Sequence, residues 1–287
     1  MLFRSIGLNK HLAMLAYITS DIDAKPIAQL LLELGMIRLS DLTPVQASSK
    51  SAVFLNGKIA GYVDLPHKFI TTLRLYRRNG LINAFISMNW DTLSNEIKIW
   101  TDNGRMCHPN YILEGNQFII QPGHLEKIRN GELKFTDLLI GFHGGNHKLN
   151  YYLDKVIPPE TLGYVKTRDD LIEFLSEKCA AIEYIDPSEM ETTMMASDFK
   201  ISADSLQRYT HHEIHSSMAL SASTHLMSYA NNNNGARNLI ATKHVRQGMG
   251  LPLTNYRSRI DGKMIVLHNP QRPLTFTRVG KHLQIGR

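Results

Sequence analysis

Residues 52–63 read AVFLNGKIAGYV. Two apolar runs flank Asn56-Gly57, a pair whose members both accept positive φ, so the stretch predicts a β-hairpin closed by a tight turn. On its C-terminal side, Asp64 is placed to cap a helix with Pro66 in its first turn. Phe69, Ile70, Leu73 and Tyr76 form that helix's apolar stripe, and Arg77, Arg78 and Gly80 close it. On its N-terminal side, a helix is predicted over 25–36, with Pro26 early, Ile27, Leu30, Leu31 and Leu34 along one side, and Gly35 near the end.

Further along, EIKIWTDNGRMCHPNYIL (96–113) alternates Ile97 and Ile99 with polar residues and carries a turn signal at Asp102-Asn103-Gly104. A second hairpin is expected there. Residues 115–165 are less periodic, with FTDLLIGF as the apolar piece and GFHGGNH (141–147) as a mobile loop. Thr167 and Asp170 suggest a capping box opening a helix to about Lys178. AIEYID (181–186) reads as a short strand, and 187–205 as a polar, Met-bearing connector. This alternation of hairpins and short helices makes a mixed α+β chain of several small subdomains. It lacks the βαβ rhythm of a doubly wound sheet, and no Walker loop or GxGxxG is present, so neither a Rossmann nor a TIM architecture is expected.

The chain has 287 residues, a 43% hydrophobic share and a 20% charged share, the profile of a folded chain rather than a disordered one. Its formal net charge of +6 is concentrated at one end. From Asn231 onward the cations are Arg237, Lys243, Arg246, Arg257, Arg259, Lys263, Arg272, Arg278, Lys281 and Arg287, against Asp261 as the sole acid. Such concentration favours a polyanion, nucleic acid above all, over a merely solvated basic face. Cys107 and Cys179 sit in no metal or redox spacing, which points to free thiols in a reducing, intracellular setting. No segment has the roughly 20 apolar residues of a membrane helix. The first residues, MLFRSIGLNKHLAMLAYITS, are interrupted by Arg4, Lys10 and His11 and read as part of the fold rather than as a signal peptide.

Two stretches carry candidate chemistry. In THHEIH (210–215), His211 and His215 would share one face of a helix with Glu213 between them. A metalloprotease helix needs His-Glu-x-x-His, and Ser216 stands where the second histidine belongs, so a polar structural segment is the preferred reading and no metal ligand is assigned. NNNNGARNLIATKHVRQGMG (231–250) meets several requirements of a phosphate site at once. Asn233 or Asn234 can cap a helix, Gly235 allows close approach of a ligand, and the helix dipole favours an anion. Arg237 brings a planar fork to the first turn. Arg246 lies nine residues on, about 13–14 Å along the axis and on the opposite azimuth, so the two arginines suit an extended substrate rather than one phosphate. Gly248 and Gly250 are expected to end the helix.

With these residues in view, the chain resembles an internal portion of the second-largest subunit of multisubunit DNA-dependent RNA polymerases. IGLNKHLAML (6–15), VFLNGKIAGYV, LRLYRRNGLIN (73–83), EIKIWTDNGR, IEYIDPSEME (182–191), HHEIHSSM (211–218), LTNYRSRID (253–261) and NPQRPL (269–274) occur in the family's order. EIHSSM and NPQRPL point to the archaeal, eukaryotic and large-DNA-virus branch.

The resemblance implies the end of a fork region at 1–24, an external 1-like subdomain at 25–114 and an external 2-like one at 115–178. It further implies a return segment of external 1 at 179–220 and the start of a hybrid-binding domain at 221–287. Arg237, with Asn233 and Asn234, would contact the triphosphate of the incoming NTP. Arg246 and Gln247, with Lys243, would lie along the RNA–DNA hybrid. Glu213 and His215 would be structural. Asn232, Gly235-Ala236 and Ile240 depart from the pattern, Ile240 standing where archaeal and eukaryotic relatives often have Tyr.

The family subunit is several times longer, and its catalytic Mg²⁺ is held mainly by the largest subunit. The chain is therefore expected to be a fragment or a piece of a split subunit, inactive alone. Its implied partners are the other polymerase subunits, DNA template, hybrid and NTP. The nucleus, archaeal cytoplasm and viral factory or virion stay open. The alternative class is a stand-alone basic nucleic-acid-binding protein.

Overall fold

The computed structural model describes residues 10–114, 117–140, 180–197, 208–247 and 274–284, together with Ile172, Leu175, Ser176, Leu206, Ser258, Ile260, His268, Asn269 and Gln271. Outside them lie the 141–147 loop, the Thr167–Asp170 capping box, Cys179, the helix-ending Gly248 and Gly250, and Arg257, Arg259, Lys263, Arg272 and Arg287. The chain divides into two compact units, Leu15–Ser216 and a second formed by Met1–Met14 with Ser217–Arg287.

The first unit opens with β1 (Tyr17–Ile18) and α1 (Ala24–Glu33). Asp23 caps α1 by accepting from the Lys25 amide at 3.0 Å, and Gly35 takes the left-handed φ of +103° just past its end. After α2 (Pro44–Ser48) come β2 (Ser51–Leu55) and β3 (Lys58–Val63), an antiparallel pair. Asn56 and Gly57 close their turn at φ 49° and 75°, the conformation for which that dipeptide was read.

The next helix, α3 (Pro66–Arg78), has Pro66 at its first position, but its N-cap is Leu65. Asp64, expected there, instead pairs with Lys50. Phe69, Ile70 and Leu73 are buried as the stripe predicts, and Tyr76 packs against the same core from a partly exposed position. Arg77, read as one of the residues closing the helix, is among the most buried side chains of the described residues.

The predicted 96–113 hairpin does not form. β5 (Glu96–Trp100) pairs with β4 (Ser87–Asp91) antiparallel and with β2 in parallel, giving a four-stranded sheet in the order β3-β2-β5-β4. The turn at 102–104 is real, with Gly104 at φ 78°, but it passes the chain into another sheet. Buried Thr19 fills that corner. Its carbonyl accepts from the Gly104 amide at 3.0 Å, and its hydroxyl donates to the Asp102 carbonyl at 3.1 Å. The corner thus meets its polar demand by binding Thr19 rather than by folding the following strand back on β5.

β6 (Met106–Glu114) is the spine of the second sheet. It pairs antiparallel with β1, with β7 (Gln117–Phe118), with β8 (Ile182–Ile185) and with β10 (His211–Glu213), and β10 runs parallel to β9 (Met195–Ala196). The short strand read at 181–186 is therefore present as β8. The stretch read as a connector holds the one-turn helix Pro187–Met190 and β9.

The main core lies between the four-stranded sheet and helices α1 and α3, and includes Leu31, Val53, Leu73, Ile86, Met88 and Ile97. Cys107 is a free buried thiol on β6, pushed up to about 11 by burial, and so stays protonated and inert near neutrality. The whole is mixed α+β. Among the described residues no helix is long and apolar enough to cross a membrane.

Candidate triphosphate and nucleic-acid interface

The polar stretch after residue 229 folds as predicted into a helix, Gly235–Arg246. The entry is sharp. Tyr229 sits in the left-handed region at φ 54°, and Ala230–Asn232 make one 3-10 turn. Asn233 then extends the chain at φ −94°, ψ 156°. Of the two candidate caps, Asn234 is the one used: its side chain accepts from the Ala236 amide at 3.0 Å.

The capping carries a correction. The amides of Arg237 and Asn238 bond to the Asn234 carbonyl at 2.9 and 3.2 Å, and that of Ala236 to its side chain. Three of the first-turn amides expected to be free for an anion are thus engaged within the protein. What this end offers a phosphate is the helix dipole and the exposed Arg237 side chain, not a ring of amides.

The helix has no apolar stripe and is held by polar anchors. The buried Thr242 hydroxyl donates to the Leu239 carbonyl at 2.6 Å and contacts His11 Nε2 at 3.1 Å, while Asn238 Nδ2 donates to the Ala230 carbonyl at 2.7 Å. Asn233, Asn234 and Arg237 are exposed together at one end. Lys243, Arg246 and Gln247 gather at the other. Lys243 is half-buried and three and four residues from the exposed pair Arg246 and Gln247, so the three share a face. Gln247 is the C-cap, its amide donating to the Lys243 and His244 carbonyls at 3.1 Å. The cations of this last turn also sit favourably at the negative end of the dipole. Arg237 and Arg246 stand on opposite azimuths about 13–14 Å apart along the axis.

The histidine cluster is not helical. His211, His212 and Glu213 form β10, so His211 and His215 do not share a helix face. His211 is buried with Nε2 3.1 Å from Glu183 Oε2, and the Glu213 carboxylate lies 3.0 Å from His108 Nε2. His215 is exposed. Among the described residues no group of three or more His, Cys, Asp or Glu side chains is placed to hold a metal ion.

A buried charge cluster went unread in the sequence. Arg77 donates to Glu183, Glu189 and the Ile86 carbonyl, and Arg78 donates to Glu183 through Nε and Nη2 at 3.1 and 2.9 Å. Burial works against the Arg77 charge, but the Glu183 and Glu189 carboxylates outweigh it and raise its pKa. Burial likewise works against ionised Glu183, and Arg77 and Arg78 outweigh it, holding the carboxyl well below the usual range. The available signal was Arg74, Arg77 and Arg78 at helical spacing, with Glu183 and Glu189 in IEYIDPSEME. Nothing local says that these meet.

Residues 53–114, most of the four-stranded sheet together with β6, match the family model described as RNA polymerase Rpb2, domain 4. The likeness extends far beyond them. The chain is similar, nearly end to end, to second-largest subunits of DNA-directed RNA polymerases. It is 29% identical over 98% of its length to the RNA polymerase II subunit RPB2 of Eremothecium gossypii, covering 23% of that protein. With RNA polymerase II subunit 2 of Arabidopsis thaliana it shares 28% identity over 98% of its length, covering 21% of the relative. The archaeal subunit Rpo2 of Sulfolobus acidocaldarius is 26% identical over 95% of the chain, which covers 22% of it. The chain thus spans between a fifth and a quarter of the length of these polymerase subunits, and its relatives include both eukaryotic and archaeal ones.

Proposed function

We propose that this chain is a portion of an RNA polymerase second-largest subunit, or one piece of a split one, and takes part in template-directed RNA synthesis within an assembled enzyme. The observation that carries the reading is the similarity to such subunits over nearly the whole chain. In this reading 1–24 is the end of the fork, 25–114 and 179–220 belong to external 1, 115–178 to external 2, and 221–287 begins the hybrid-binding domain.

In this reading the 235–246 helix works through both ends. Arg237, with Asn233 and Asn234 beside it, meets the NTP triphosphate and stabilises its charge by position and electrostatics. Lys243, Arg246 and Gln247 meet the RNA–DNA hybrid. Their opposite azimuths suit two ligands better than one. Mg²⁺ neutralises the transferring phosphates when bound, and its carboxylates belong to the largest subunit. The acids of the buried cluster described above are already committed to arginines. The chain alone is not catalytic, and it works inside a cell or virion with the other subunits, template and NTP.

The test is Arg237→Ala in the assembled polymerase. The KM for NTP should rise about tenfold or more, as expected for loss of a charge-assisted contact, with a smaller effect at saturation. An unchanged elongation rate at limiting NTP would overturn the assignment.

A second reading, a stand-alone basic nucleic-acid-binding protein, is favoured by the exposed Arg246 and Gln247 beside half-buried Lys243 in a cation-rich segment. Tight binding of duplex or single strands by the isolated chain, with a steep log–log dependence on salt, would favour it. Failure to bind without partner subunits would favour the polymerase reading.

A further inference from the structure

Asn-Gly pairs occur at Asn56, Asn79, Asn103, Asn130 and Asn234. Such a pair is chemically labile. The glycine nitrogen can attack the side-chain carbonyl carbon of the asparagine, and glycine has no Cβ to hinder the approach or restrict the backbone. Two requirements decide which pairs react. The glycine amide must be free of hydrogen bonds, and the asparagine side chain must not be held away from it.

The fold blocks the pairs outside the 235–246 helix. Asn56 is clamped to Thr101, its Nδ2 donating to the hydroxyl and its Oδ1 accepting from the amide, both at 2.8 Å. Asn79 is buried, with Nδ2 donating to the Leu75 and Leu175 carbonyls at 2.8 and 3.0 Å. The Gly80 amide is engaged as well, by the Arg77 carbonyl at 3.0 Å. Asn103 and Asn130 are exposed, but the Gly104 amide donates to the Thr19 carbonyl at 3.0 Å and the Gly131 amide to the Ile128 carbonyl at 3.1 Å. Each of these amides must give up a hydrogen bond before it can lose its proton.

Asn234-Gly235 meets both requirements. Both residues are exposed, and the Gly235 amide, the first of the helix, has no acceptor among the described residues. The positive end of the helix dipole favours loss of its proton. The one bond of the Asn234 side chain assists the attack. The Ala236 amide donates to Oδ1 at 3.0 Å, the oxygen on which negative charge develops when Cγ is attacked. Closing the ring turns Asn234 away from its ψ of 136°, a local movement at an exposed helix end. Asn231, Asn232 and Asn233 are each followed by a further asparagine, whose Cβ crowds the attacking nitrogen.

We propose that Asn234 is a self-modifying site, converted with water to aspartate and isoaspartate through a succinimide formed with Gly235. The Gly235 nitrogen gives its proton to hydroxide and bonds to Asn234 Cγ. The Cγ–Nδ2 bond breaks, and Nδ2 leaves as ammonia. Water then opens the ring at either carbonyl, giving an aspartate or an isoaspartate, with nothing oxidised or reduced. Either product puts a negative charge at the helix end that carries Arg237. The chemistry is independent of the polymerase reading. Only its consequence, repulsion of the NTP triphosphate, rests on that reading.

The experiment incubates the full 287-residue chain in mildly alkaline buffer, folded and in guanidinium. Each Asn-Gly pair is followed by peptide mass mapping and by labelling with an isoaspartyl methyltransferase. In the folded chain Asn234 should convert at least about tenfold faster than Asn56, Asn79, Asn103 or Asn130, and in guanidinium the rates should draw together. Gly235→Ala should slow conversion at Asn234 about tenfold or more, because the added Cβ hinders the nitrogen. That Cβ meets no atom within 4 Å, and alanine suits a helix, so the variant keeps the fold. An intact Asn234 in the folded chain after the denatured chain has reacted would overturn the proposal. Faster conversion at any other of these pairs, or an unchanged rate in Gly235→Ala, would overturn it too. Unchanged NTP use by an assembled polymerase carrying the converted chain would instead count against the Arg237 assignment.

Discussion

Arg77 and Glu189, 112 positions apart, meet fork to fork: Nη1 donates to Oε2 at 2.8 Å and Nη2 to Oε1 at 2.7 Å, with both side chains 1% exposed. The remaining N–H groups of Arg77 go to the Ile86 carbonyl and to Glu183, so its five donors are all used. Helix α3 is thereby tied to β8 and to the turn that follows it. A guanidinium suits this post because its fork is planar and stays charged when buried.

Replacing Arg77 by Ala should therefore destabilise the chain by about 3–5 kcal/mol, the cost of leaving buried carboxylates without their partner. Arg77→Lys should also be destabilising, since one ammonium cannot fill five donor positions. Urea unfolding of the purified chain measures both. A loss for Arg77→Ala within about 0.5 kcal/mol, the range of an ordinary surface change, would refute the tie.

Glu183 sets the acid limit. Against the effect of burial, Arg77 and Arg78 hold its folded pKa well below the ordinary carboxylate range, so its contribution to stability is fully present above that range. As pH falls below the ordinary carboxylate range the unfolded chain takes up the proton first, and the contribution is lost toward the depressed folded pKa. Chemical denaturation from pH 7 to pH 3 should show the loss setting in below about 4.5, with a shallower fall in Glu183→Gln.

Gly61 on β3 is a steric prediction. A Cβ there would stand 2.4 Å from the Ile37 carbonyl oxygen and 2.8 Å from Met36 Cγ. Ile37 bridges to Tyr62, with both amide-to-carbonyl bonds at 2.9 Å, so its backbone cannot simply retreat. Gly61→Ala should cost at least about 1–3 kcal/mol in thermal or urea unfolding, the range for overpacking. A stability equal to the parent would mean that the bridge gives way without cost.

Local features were legible. The Asn56-Gly57 turn, the stripe of α3, the strand at 181–186 and the capped helix after Asn234 all follow from residues within a few positions of one another. The errors share a cause. Asp102-Asn103-Gly104 was read as a hairpin turn because a turn signal does not say where the chain goes next, and Thr19, some eighty residues earlier, decides that. In THHEIH the spacing of His211 and His215 suggested a shared helix face, whereas pairing with β6 makes His211–Glu213 a strand. Arg77 was read only as one of the residues closing its helix, because its carboxylates lie more than a hundred residues on.

By itself the sequence determined the class of the fold, the short-range elements and the resemblance to polymerase subunits, because turn chemistry, capping and ordered motifs are written in neighbouring residues. Tertiary structure alone decided which strands share a sheet, which first-turn amides remain for a ligand, and where charge is buried. Those outcomes depend on hydrogen-bond and charge demands that are met across the chain. A partner a hundred residues away leaves no mark in the local pattern that it completes.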